Sequence, residues 1–256
     1  MTAISNSLTP AQLVAGVRII TARELAAYFD SSIAYVYTIA FVVLANSIFM
    51  NEFFLTGTVD MTGFFDLMPL LLAVFVPAIT MRLWAEERKS RTIELLLTLP
   101  IHPVQAVLGK YIAAIGLFKL FLLGSLPIPI MLLALGEPDL GLIISGYVGL
   151  LMLGAMFLAF GMFLSALTGD QIIAFVTTAL LGFAFVLTGN DRVVAVLDGL
   201  FPALGMGTIL YEAFSVIPHY DTFVRGVIDL GSVLYFALFI ALFLWLNTHL
   251  LQRNRT

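Results

Sequence analysis

Cysteine is absent from these 256 residues, so the chain has no disulfide, no haem attachment and no thiolate metal site. Charge is scarce as well. Asp, Glu, Lys and Arg make up 11% of the chain, the net charge is −4, and no basic tract is present, which argues against nucleic acid as a partner. Histidine occurs three times, as His102, His219 and His249. These lie far apart, near the ends of apolar stretches, so they read as interfacial residues rather than as a metal site or a triad. Ten-residue stretches of alternating apolar and polar character are missing, which argues against a membrane β-barrel. No small-residue cleavage site follows a charged start, and no signal peptide is read.

Apolar residues fill the space these absences leave. They make up 61% of the sequence, and the mean hydropathy is +1.06. Several runs exceed the roughly 18 residues needed to cross about 30 Å of hydrocarbon, and without strands only helices can do so. The expectation is one all-α polytopic membrane domain over residues 1–256. Six spans are read at about 33–54, 64–83, 104–127, 140–167, 172–187 and 232–250. Pro69 and Pro77 predict kinks in the second span unless neighbours take the freed carbonyls. The fourth is rich in Gly and Ala (Gly146, Gly149, Gly154, Gly161), which lets helices approach closely. Ahead of the spans, residues 10–29 place Leu13, Val14, Val17, Ile20, Leu25 and Tyr28 on one arc, with Glu24 intruding. This reads as a helix lying in the membrane interface, or else as a solvated leader helix. Residues 188–231 are apolar but interrupted by Pro202, Gly205, Gly207, Glu212 and Pro218, and read as short helices on the outer surface.

One stretch breaks the apolar pattern. Residues 84–103, WAEERKSRTIELLLTLPIHP, hold nearly all the dense charge of the chain. A short amphipathic helix at 93–98 is expected there, with Ser90 as its cap, Glu94 in its first turn, and Pro100 and Pro103 stopping it. At about eight residues it would be roughly 12 Å long. Nine of the twelve basic residues, including Arg18, Arg23, Arg82, Lys110 and Arg253, share one side in the six-span arrangement. Only Arg192 and Arg225 fall on the other, so both termini and this segment are expected in the cytoplasm. Lys119 is the remaining cation, placed inside the third span. It is either a structural lysine with a local partner or a pathway or gating residue.

Enzyme chemistry finds no support. Gly109-Lys110 looks like the end of a phosphate-binding loop, but Val104 stands at the first glycine position and Tyr111 replaces Ser or Thr. Gly169-Asp170 lacks the preceding glycine and the mid-span partner of an intramembrane aspartyl protease. Met50, Met61, Met68 and Met206 could bind Cu(I), but methionines in so apolar a chain read as packing.

Four blocks carry a family resemblance: RELAAYFDSSIAY (23–35), VPAITMRLWAEERKSRTIELLLTLPI (76–101), LGKY (108–111) and FVRGVIDLGSVLYF (223–236). In this order they resemble the signatures of six-span, type-2 ABC exporter permeases. The nearest branch includes gliding-motility and nitrous-oxide-reductase maturation permeases. Two positions depart from the pattern: Arg91 stands where glycine is usual, and Ser32 where proline is common. The resemblance implies a dimer, with a second copy or a close paralogue, in the bacterial inner membrane. Each copy would bind a separate cytoplasmic ATPase that holds the ATP and magnesium; this chain would bind no cofactor or metal and catalyse nothing. Residues 10–29 would be the connecting helix, 91–98 the coupling helix and 188–231 an outer cap. Glu86, Glu87, Arg88, Lys89, Arg91, Thr92, Glu94, Leu95 and Leu96 are the expected ATPase contacts. Two other readings stand beside this one: a force-transmitting scaffold acting on a periplasmic protein without moving a solute, and a stand-alone carrier or channel.

Overall fold

The computed structural model describes residues 9–92, 101–200 and 204–253. Every regular element among them is helical: α1 (Pro10–Phe29), α2 (Ser32–Thr56), α3 (Thr62–Thr80), α4 (Ala85–Lys89), α5 (Pro103–Ser125), α6 (Pro127–Leu135), α7 (Leu140–Leu167), α8 (Gln171–Leu187), α9 (Asp191–Leu200), α10 (Met206–Phe214), α11 (Ile217–Val224) and α12 (Leu230–Arg253). Five stretches are long and apolar enough to cross a membrane: α2, α3 continued by α4, α5 continued by α6, α7, and α12. At 17 residues, α8 falls short alone. It makes a sixth only if joined to α9, from which it bends by 90°.

Local chemistry sets the helix starts. Thr9 and Gln12 cap one another across the first turn of α1, with Pro10 preset at the first helical position. Asp139 and Asp170 accept backbone N–H groups at the starts of α7 and α8. Ser31, at the start of α2, turns its side chain elsewhere. Its hydroxyl accepts from Arg82 at 2.9 Å and caps nothing in α2.

Helix α7 is the axis of the bundle: 72% of its most apolar stretch is buried, against 17% in α2 and in α12. Its glycines are notches. Where a Cβ would stand, Gly146 takes Phe65, Gly149 takes Phe223, Gly154 takes Phe118 and Gly161 takes Thr80. Small residues thus seat four side chains from three neighbouring helices, α3, α5 and α11.

Pro69 frees the carbonyl of Phe65, four residues back in α3. The Tyr220 hydroxyl on α11 donates to that oxygen at 3.0 Å. A span interrupted by proline is therefore completed by a short helix more than 150 residues away. Successive long helices run in opposite directions. The α1–α2 elbow, α4, and the starts of α5 and α8 gather at one end with the C-terminus of α7. The 57–61 turn and α9 to α11 gather at the other.

Candidate functional site

At the first of these ends, a turn at 81–84 joins α3 to α4, and one hydroxyl holds it. Ser165 Oγ, fully buried near the C-terminus of α7, accepts from Trp84 N–H and Ala85 N–H and donates to Met81 O, each at 3.1 Å. A serine hydroxyl has one donor and two acceptor positions, and all three are used. The turn is clipped to the central helix.

That clip turns Glu87 of α4 inward, towards α5. Lys110 Nζ lies 2.9 Å from Glu87 Oε1 and 3.2 Å from Glu24 Oε1 of α1. It also sits 5.0 Å from the centre of the Trp84 ring. Arg23 Nη2 completes the set, 2.6 Å from Glu24 and 3.8 Å from Glu87. Two cations meet two carboxylates, so the cluster is neutral. The Lys110 side chain is only 3% exposed, with Glu24 at 15% and Glu87 at 19%. Burial alone would push the Glu24 carboxyl up, but Lys110 and Arg23 outweigh it and hold it below the ordinary carboxylate range. One buried cluster thus locks α1, α4 and α5 together.

Close packing carries α1 onto α5 on either side of Lys110. Ile20 fills the place of a Cβ at Gly109, and Leu25 does so at Gly116. Gly109 therefore serves helix approach, and no phosphate-cradling loop surrounds it. Gln105 Nε2 donates to Gln12 O at 2.9 Å, and Thr21 donates to Gly109 O at 3.1 Å. Beside the cluster, Arg82 pairs with Glu86 at 2.9 Å and with Ser31. A cavity of about 70 Å³ lined by Glu24, Tyr28, Arg82 and Glu86 has room for water.

Beyond α4 the chain turns sharply. Ser90 Oγ donates to Glu86 O at 2.8 Å, within the end of α4. Arg91 then has φ 57°, the one non-glycine residue in the left-handed region among those described. Glycine would adopt this backbone without the strain that an arginine meets here. The short helix expected at 93–98, with Glu94, Leu95 and Leu96, lies outside the described residues.

The residues expected to contact a partner therefore divide. Glu86, Lys89, Arg91 and Thr92 are exposed, and Arg88 is half-buried. Glu87 is engaged inside the chain, so its charge serves the cluster first. Lys119 lies far from this group, sixteen residues from either end of the α5–α6 stretch (119 − 103 and 135 − 119). It is exposed and makes no ion pair or hydrogen bond with any described residue. The histidines stay apart: His102 caps α5, His219 stacks on Tyr235 at 4.0 Å, and His249 stacks on Trp245.

Sequence reading missed the cluster itself. Lys110 looked like a flanking cation and Glu24 like an intruder on an apolar arc. The signal was Glu24, because a carboxylate on a buried face requires a partner. Comparison with protein-family models found no match to this chain, and comparison with curated proteins found none either.

Proposed function

We propose that this chain is the membrane permease subunit of an ATP-binding-cassette exporter, with both termini cytoplasmic, working as a dimer with two copies of a separate ATPase that binds ATP and magnesium. The observation that carries this reading is the anchoring of residues 81–92. A charged loop that only marks a membrane edge needs no buried attachments. This one is joined to α7 through Ser165, and to α1 and α5 through Lys110. A push on its exposed face would reach three helices at once, two of them long enough to cross the membrane. That is the mechanical requirement for coupling nucleotide hydrolysis on another chain to rearrangement in the membrane. Nine cations in the cytoplasmic share of the six-span arrangement support the orientation. The blocks described above support the family.

The scaffold reading has an observation of its own. The α9–α10 hairpin is tied to itself, with Asp198 accepting from Gly207 N–H, Thr208 N–H and the Thr208 hydroxyl, while no residue of α9 is buried. Val196, Leu200 and Ile209 are exposed on it, a surface open to a partner at that end.

Co-purification tests the main reading. Chain solubilised from its native membrane should bring down a nucleotide-hydrolysing subunit. Lys89→Glu and Leu96→Asp should each release that subunit while insertion and the thermal transition stay intact, since reversal of an interface charge and loss of an apolar anchor are both costly. Retention of the subunit with coupled ATP hydrolysis in both variants would place the contact elsewhere. Recovery of a periplasmic protein without any ATPase would favour the scaffold.

A further inference from the structure

Where α1 crosses α5, the seating of Ile20 at Gly109 and Leu25 at Gly116 leaves an open trough along one side of the crossing. It encloses about 580 Å³, within the roughly 300–1,000 Å³ typical of small-molecule clefts. Val17 and Leu25 of α1 form one wall, and Leu108 and Ile112 of α5 the other. Thr21 also lines it, but its hydroxyl is already given to Gly109 O. Water entering the trough would find almost nothing to bond, so an aqueous filling is unfavourable.

A single charge borders this apolar space, the guanidinium of Arg18. Arg23 is bound to Glu24, Arg82 to Glu86, and Lys110 to two carboxylates. Arg18 is exposed and has no partner among the described residues. The open wall belongs to a helix long enough to span a membrane. Lys119 lies on the same α5 stripe, seven residues beyond Ile112, and is likewise unpaired.

We infer that this trough binds an anionic phospholipid of the surrounding leaflet, with an acyl chain against Val17, Leu25, Leu108 and Ile112 and the phosphate on Arg18. Charge complementarity selects the occupant. A zwitterionic lipid would satisfy the walls but gain less from an unpaired guanidinium. A second copy of the chain would have to bring an acidic group to Arg18 and an apolar ridge to the trough. The inference does not depend on the transport reading, because it needs only that α5 spans the membrane.

Native mass spectrometry of the purified protein, taken from vesicles of equimolar phosphatidylglycerol and phosphatidylcholine, tests it. The wild type should retain one phosphatidylglycerol in roughly fivefold preference, the contribution of one cation near an anionic surface. Arg18→Gln should bring the ratio near parity and Arg18→Lys should keep most of it. Val17→Trp, which fills the trough, should reduce retention of both lipids. Parity in the wild type overturns the inference even if a variant fails to fold. So does an unchanged preference in Arg18→Gln, undiminished retention in Val17→Trp, or a lipid-free dimer cross-linked through the trough.

Discussion

Hydroxyls bonded to backbone carbonyls hold both ends of the bundle, and one end adds ion pairs to them. All five ion pairs between described residues lie at the end that carries α1 and α4. The end that carries α9 to α11 has none among them. There, hydroxyls reach backbone carbonyls: Tyr220 to Phe65 O at 3.0 Å, and Ser145 to Phe223 O at 2.7 Å. The difference is one of consequence. A hydroxyl–carbonyl bond lost at the second end costs one contact. A charge lost from the Lys110 cluster leaves the remaining three groups with one uncompensated charge, largely buried, so this joint holds firmly while intact and weakens as a unit.

The largest break should come from Lys110→Met. Glu24 and Glu87 would share only Arg23, which is 56% exposed, and loss of one partner from a buried pair costs at most roughly 3–5 kcal/mol. A large fall of the thermal transition in detergent is expected, with partial recovery when Glu87→Gln is added. A transition equal to wild type would show the cluster to be wet and weak. Glu87→Lys should be nearly as damaging for the same reason, which makes Glu87 a poor probe of a partner contact.

Next in size, Tyr220→Phe leaves the Phe65 carbonyl unpaired beside Pro69. A buried acceptor without a donor costs about 1–3 kcal/mol. Ser165→Ala, which removes three bonds from one turn, should fall in the same range. Of these two, only Ser165→Ala should also weaken coupling to the proposed ATPase, because Tyr220 sits at the far end. Equal effects of both on coupled ATP hydrolysis would remove the mechanical distinction between the ends.

Arg91→Gly acts in the opposite direction. Relief of a left-handed arginine should stabilise the turn by about 1 kcal/mol, read as a small rise in the thermal transition. A fall instead would mean that the guanidinium makes a contact worth more than the strain.

The smallest effect separates the ends by pH. Glu24 has its folded pKa depressed, so its stabilisation is present above the unfolded value near 4.3 and is lost as pH falls below it. For His219, burial lowers the pKa and Asp229 opposes that only in part. The folded protein therefore disfavours the protonated ring, and stability begins to fall as pH drops below about 6.5. Thermal scans should show a shallow slope setting in below about pH 6.5, abolished by His219→Gln. A steeper one should follow below about pH 4.3, reduced by Glu24→Gln.

The sequence alone determined the kind of molecule this is. Long apolar runs without alternation left helices as the only spanning element, and the caps that Thr9, Asp139 and Asp170 form depend on chemistry confined to one turn. Glycine spacing along 146–161 announced a closely packed helix. All of these signals are local, involving residues within a few positions of each other. The tertiary structure alone decided which polar groups meet. Glu24, Glu87 and Lys110 lie 23 to 86 residues apart, and no periodicity pairs them. Nothing near Pro69 says that Tyr220 will complete its helix, and nothing near Ser165 says that it will hold a turn more than 80 residues earlier. A buried polar group must find a partner, but the sequence states only the need; the path of the chain through space supplies the partner.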